Sequence, residues 1–264
     1  MRLPRLSHGA VAAGHPATVE AAACILMEGG NAIDAAMAAV CTSFMAEPVL
    51  TGPAGGGFML IYPRDQKPVL LDGFAKMPSG TPERSELVPV PIDFGDTIQT
   101  FHIGQASVGT PSLMAMLFAA HARYGRMPIT DALAPAIAAA REGIKLNRLQ
   151  ASFLRLLTPI LTHTREARLL YAPKGETLAE GTLFRNQDWA NVLEMLALEG
   201  VEEMYQGDLA RAIVACCQPY GMLTLNDLAR SQVSIREPLY LQAWRGTWLT
   251  NPPPAMGGLL VALG

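Results

Sequence analysis

Four glycines and one proline fall within nine residues, Leu50-Thr-Gly-Pro-Ala-Gly-Gly-Gly-Phe58, between two apolar segments. Glycine at that density serves a tight turn, a close approach of backbone, or a flexible linker. The flanks separate these outcomes. Residues 16–28 repeat Val19, Ala22, Ala23 and Leu26 on one helical face, open with proline and stop at Gly29-Gly30. Asn31 then offers an N-cap with Asp34 three residues on, and Ile33, Ala36, Met37, Val40 and Phe44 keep helical spacing as far as Pro48. After the cluster, residues 58–62 and 69–71 read as two buried strands joined by a turn over 63–68. A linker between independent domains would not be bracketed by core-forming segments. A phosphate loop needs Lys-Ser/Thr and then a helix, whereas Phe58 and a strand follow here. The order helix, glycines, strand predicts backbones packed closely with no side chains between them.

Further along, residues 78–91 are rich in Pro, Ser, Glu and Gly and read as an irregular excursion, with a strand over 98–102. Helical spacing predicts helices over 112–124, 130–142 capped by Thr130, 147–161 capped by Asn147, 186–198, 208–217 and 224–229, with Gly125, Gly143 and Gly200 at helix ends. Residues 240–243 and 247–250 flank Arg245-Gly246 as a hairpin. Pro252-Pro253-Pro254 is a stiff rod before Gly257-Gly258, and at a strand end a rigid internal corner fits it better than an SH3-type ligand. The apolar run to Gly264 predicts internal docking or a coding sequence that continues.

Composition sets outer bounds. Half of the 264 residues are hydrophobic and 16% are charged, enough for a real core. A net charge of −3 with no basic run gives no footprint for nucleic acid. Asp34, Thr42 and Ser43 interrupt the apolar stretch 32–46, which is shorter than the roughly 18 residues a span requires, so no membrane partner is expected. Polar residues follow the basic start where an apolar signal core would stand, so the expected location is cytoplasmic, or periplasmic or secreted if a signal has been removed.

The candidate chemistry is sparse. Cys24, Cys41, Cys216 and Cys217 form no CxxC pair, and the first three fall at helical positions that would bury them. His8, His15, His102, His121 and His163 lack ligand spacing, so neither a metal nor a cofactor is expected, and His121 reads as a partly exposed helix residue. No G-x-S-x-G is present. The segment Asp72-Gly-Phe-Ala-Lys-Met-Pro78 leaves the second strand; it reads equally as a site loop or as a turn with Phe74 tucked beneath.

A family likeness enters through motifs in order: His15-Pro, Gly29-Gly-Asn-Ala-Ile-Asp34, Glu47-Pro48, Gly52-x-x-Gly55-Gly56-Gly57-Phe58, Leu71-Asp72, Pro78, Gly109-Thr-Pro111, Tyr205-x-Gly207-Asp-Leu-Ala, Gly221-Met-Leu-Thr224 and Pro252-Pro-Pro-x-x-Gly257-Gly258. This series resembles the large-subunit portion of the γ-glutamyltransferase (γ-glutamyltranspeptidase) family over nearly the whole chain. The resemblance implies an α+β fold, a four-layer αββα sandwich of the N-terminal-nucleophile hydrolase type, incomplete in this chain. Residues 1–264 would be a single domain, most of the large subunit of a self-cutting precursor, partnered by the small subunit from that precursor. The implied chemistry is cleavage of γ-glutamyl or related acyl amides through an acyl-threonine, with the threonine opening the small subunit and no catalytic residue in this chain, which alone would be inert.

The same likeness assigns roles by position. Asn31, Asp34, Gly55, Gly56, Gly57, Pro252, Pro253, Pro254, Gly257 and Gly258 are its structural motif, and the three glycines become a packing crossover. Asp72, Phe74 and Lys76 are the implied substrate-binding residues. Two departures stand out. Phe74 occupies the place of the family's arginine, whose fork holds the α-carboxylate of the γ-glutamyl group, and Lys76 is a point charge from a different position. Ala255-Met256 replace two serines. The departure at Phe74 points to the acylase-like relatives, while a stand-alone binding protein that retains the scaffold is the competing expectation.

Overall fold

The computed structural model describes residues 9–243, 246–253 and 255–263. Two helices open the chain, α1 (Pro16–Met27) and α2 (Ala32–Ala46), each with a side-chain cap. His15 Nδ1 accepts from the N–H of Ala17 at 3.1 Å. Asn31 and Asp34 form a reciprocal capping box, so two orphan donors of α2 are satisfied within four residues.

Strands β1 (Gly57–Ile61) and β2 (Val69–Gly73) pair antiparallel, followed by the ribbon β3 (Val88–Asp93) and β4 (Ile98–Ile103). The helices α3 (Leu113–Tyr124) and α4 (Ile129–Glu142) come next, then β5 (Ile144–Lys145), α5 (Arg148–Leu156), α6 (Thr158–Leu161), α7 (Arg165–Tyr171) and β6 (Leu183–Phe184). The chain continues through α8 (Gln187–Glu199), α9 (Glu202–Tyr205), α10 (Asp208–Cys216), α11 (Leu225–Ala229), β7 (Ser234–Arg236), the hairpin β8 (Leu239–Ala243) and β9 (Gly246–Thr250), and α12 (Met256–Leu263).

The strands β1, β2 and β7 make one three-stranded antiparallel sheet in that order. Its register sets Gly57 opposite Gly73, Phe58 opposite Asp72, and Leu71 opposite Ile235. Alternation then divides two faces. Met59, Ile61, Val69 and Leu71 point inward, where they join Met37, Cys41 and Phe44 of α2 and Met114, Met116 and Leu117 of α3 in the principal core. Phe58, Leu60, Leu70, Asp72, Ser234 and Arg236 belong to the outer face. The three-stranded sheet thus has a helical layer on its inner side, while β3–β4, β5–β6 and β8–β9 are separate two-stranded pairs.

Several local expectations change. Residues 88–93, placed in the irregular excursion, form a strand despite Pro89 and Pro91. The two prolines share one parity in a two-stranded ribbon, so their missing N–H groups fall on the side that makes no ladder bond. Thr130 does not cap α4, because Pro128 precedes the first helical residue. The expected helix 147–161 divides at Leu157, with Pro159 in the first turn of α6. Cys41 and Cys217 are buried and Cys24 is half-buried, but Cys216, expected inside, is exposed at the end of α10. All four thiols are free, and burial pushes that of Cys41 up to about 12, leaving it inert. His121 is partly exposed as expected, its side chain 11% exposed beside Asp34. Trp244, Arg245, Pro254, Gly264 and the first eight residues, with His8 and the basic start, lie outside the described residues.

Candidate functional site

The glycine cluster lies where the sheet meets α3. The carbonyl of Gly55 accepts from the N–H groups of Ser112 and Leu113 at 3.1 and 3.0 Å, and the Tyr205 hydroxyl accepts from Ala115 at 3.1 Å. These donors at the start of α3 are therefore engaged by the protein itself, and no anion cradle is left at them. Burial pushes the Tyr205 phenol to about 12, against the opposing effect of the Ala115 N–H, so it stays a neutral acceptor. A Cβ on Gly56 would stand 2.3 Å from the Ala75 nitrogen, and one on Gly73 would stand 2.7 Å from the Cβ of Met116. Glycine is required here for close approach, and the approach fixes where the chain after β2 emerges.

That emerging segment carries Asp72, Phe74 and Lys76. Asp72 Oδ1 accepts from the N–H of Phe74 at 3.1 Å, a local turn that aims the ring. The Phe74 ring stacks on Phe58, centroids 5.5 Å apart and planes inclined by 22°, and Phe74 remains 51% exposed. The ring is thus not tucked beneath the turn. Asp72 Oδ2 pairs with Arg236 Nη1 at 2.9 Å, and Arg236 Nη2 donates to the Pro253 carbonyl at 2.7 Å. A single guanidinium thereby ties the strand exit to the proline corner.

The following residues are held on both sides. Lys76 pairs its backbone with Thr110, at 3.3 and 2.8 Å, and its ammonium donates to the Gln232 carbonyl at 3.0 Å. Ser79 donates through N–H and hydroxyl to Asp227 Oδ1 at 3.1 and 2.6 Å. Gly80 donates to the Met222 carbonyl at 2.9 Å. Residues 72–80 form a braced exit with one exposed aromatic ring presented outward.

Asn31 and Asp34 lie elsewhere, on the helical side. Asp34, 0% exposed, accepts from the N–H groups of Asn31, Arg126 and Met127 at 2.8, 3.0 and 3.3 Å, and Asn31 Nδ2 donates to the Tyr124 carbonyl at 2.6 Å. The pair locks α2 to the turn between α3 and α4. Pro252 and Pro253 follow β9, and Gly257 and Gly258 lie in α12. Arg236 and Phe58 were given no role by sequence reasoning. Arg236 sits 164 residues from Asp72, beyond any local pattern; Phe58 ended the glycine motif but showed no partner until Phe74 folded over it.

No group of three or more His, Cys, Asp or Glu side chains among the described residues is placed to hold a metal ion. No described helix is long and apolar enough to cross a membrane. The family model for gamma-glutamyltranspeptidase matches residues 18–263. The chain belongs to that family. It is 33% identical over 260 residues to a glutathione hydrolase proenzyme of Pseudomonas aeruginosa, covering 97% of this chain and 45% of the relative. It is 31% identical over 254 residues to the acylase ACY 1 proenzyme of Pseudomonas sp. strain SE83, covering 94% of this chain and 45% of the relative. The chain therefore spans less than half the length of these curated relatives. The crystal structure of Helicobacter pylori gamma-glutamyltranspeptidase superposes with a TM-score of 0.84 at 26% identity, covering 99% of this chain and 74% of that one. The α+β fold is that of the N-terminal-nucleophile hydrolases in this family.

Proposed function

We propose that these 264 residues are one domain, most of the large subunit of a self-processing amidohydrolase or acyltransferase, completed by the small subunit of the same precursor. One observation carries this reading: 97% of the chain aligns with 45% of a relative named as a proenzyme. The reaction is acyl transfer from an amide. A threonine hydroxyl at the start of the small subunit attacks the carbonyl carbon, its proton passing by way of the α-amino group to the leaving amine. The C–N bond breaks and an acyl ester remains. Water then attacks the ester, giving its proton back to the threonine oxygen and releasing the acid; an amine acceptor in place of water gives transfer. Backbone N–H groups hold the oxyanion in both steps.

In this scheme the outer face of the sheet carries the contribution of the large subunit. Asp72 and Arg236 hold the exit, Phe74 meets the acyl group, and Lys76 braces the loop from below. Phe74 offers no charge-assisted bond to an α-carboxylate, a loss of about 1.5–3 kcal/mol for a γ-glutamyl donor relative to a guanidinium there.

The test is the complete gene product. Mass spectrometry should show two chains, the smaller with an N-terminal threonine, and the processed protein should hydrolyse acyl anilides. A single uncut chain without activity on any acyl anilide would instead establish a binding protein built on the scaffold.

A further inference from the structure

We propose that the stacked Phe58–Phe74 pair is an acyl-group platform that selects flat apolar acyl groups of aromatic size, such as arylacetyl, over acyl groups ending in a carboxylate. The inference rests on the functional reading above and deepens it by naming the substrate class.

Four features of the strand exit support it. Phe74 is half exposed yet fixed in place, by the stack on Phe58 and by the bond from its N–H to Asp72. An exposed ring without a purpose needs no such holding, whereas a recognition surface gains from being preorganised. Phe74 keeps about half of its surface exposed beside this near-parallel stack, and a further ring can add to exposed aromatic surface. Leu60, on the same outer face and 40% exposed, extends the apolar surface along β1.

The fourth feature is the electrostatics of the rim. Lys76 and Arg236 flank the exit, but the ammonium lies on the Gln232 carbonyl and the guanidinium is shared between Asp72 and the Pro253 carbonyl. Drawing either toward a substrate carboxylate would break a bond that holds the exit, and Asp72 itself repels a carboxylate. The glycines beneath contribute by exclusion. A side chain at position 56 would collide with the Ala75 nitrogen, so the backbone at Phe74 is set by main-chain contact without adjustable side chains.

The overall reaction is that proposed above: the amide C–N bond is cleaved, the acyl carbon gains the oxygen of water, and the amine leaves with a proton. Only the acyl group is specified here.

The experiment uses the complete processed protein and compares kcat/KM for phenylacetyl, hexanoyl, glutaryl and γ-glutamyl p-nitroanilides, in the wild type and in Phe74→Ala and Phe74→Arg. The wild type is expected to favour phenylacetyl over γ-glutamyl by about tenfold or more, mostly through KM. Phe74→Ala should lower phenylacetyl turnover several-fold while leaving self-cleavage and thermal unfolding near wild type. Phe74→Arg should reverse the order toward glutaryl and γ-glutamyl substrates. A wild type that prefers γ-glutamyl, or a Phe74→Ala variant whose acyl preference is unchanged while its processing or stability falls, overturns the platform and leaves the ring as packing for another chain. Failure of the functional reading looks different, because no precursor cleavage and no hydrolysis of any of the four anilides would then be seen.

Discussion

Asp34 and Asp72 are both tied to distant parts of the chain, but by opposite means. Asp34 is fully buried and accepts from backbone N–H groups of α2 and of the turn after α3. Asp72 stands on the outer face of the sheet and is held by the Arg236 guanidinium, both side chains partly exposed. The helical side is closed by the chain's own main-chain donors, and its satisfaction is independent of anything outside. The outer side is held by charged side chains at partial exposure and leaves Phe74 and Leu60 exposed. The first region stabilises the fold, and the second is the one we propose receives the acyl group.

The largest break in this contrast comes from Asp34→Ala. Removing the carboxylate leaves several backbone donors without a partner in a dry environment and abolishes the capping box of α2. The expected loss is roughly 3–5 kcal/mol, read as a fall in the denaturation midpoint of the complete protein. Asp34→Asn, which keeps one acceptor oxygen, should lose distinctly less. Equal losses for the two variants would mean that negative charge, not acceptor geometry, holds the helical side.

Next in size is Gly56→Ala, which joins the two regions. The added methyl meets the backbone nitrogen of Ala75, which cannot rotate away, so the strand exit must shift at a cost of about 1–3 kcal/mol. Gly52, in the same cluster, has open space where a Cβ would go and no positive φ, so Gly52→Ala should change stability by less than about 0.5 kcal/mol. A crystal structure of the Gly56 variant should show Phe74 displaced from Phe58. Unaltered stacking would show that the exit is not positioned by the crossing.

The two regions also differ in how far they could be read from sequence. The helical side was legible because its signals are local: Asn31 with Asp34, and Asn147, mark their helix starts, and each closes a capping box within four residues. The β1–β2 hairpin was legible from its apolar runs and turn. Strand β7 was not, because its three residues pair with β2 across the length of the chain and carry no pattern of their own. The prolines of β3 concealed a strand for a different reason, since a ribbon tolerates proline wherever no ladder bond is lost. At the site, Asp72, Phe74 and Lys76 could be singled out as a strand exit. Arg236, Phe58 and Gln232 reach them only through the tertiary fold, so the difference between a tucked Phe74 and a presented one lay beyond the sequence.

The smallest expected effect concerns pH, and it separates main-chain satisfaction from charge at the rim. Burial of Asp227 raises its pKa, but the hydrogen bonds from Ser79 and Thr224 outweigh this and hold the carboxyl below its ordinary value of 3.8. A depressed folded pKa means that the unfolded chain takes up the proton first. The stabilisation is therefore complete above 3.8 and lost as the pH falls through the lower, folded value. Because Asp227 holds Ser79, hydrogen exchange should show protection at Ser79 falling as the pH drops through that lower value. Asp227→Asn should remove most of this pH dependence. If protection at Ser79 does not change with pH, or falls equally in Asp227→Asn, the Asp227 carboxylate is not what holds the exit.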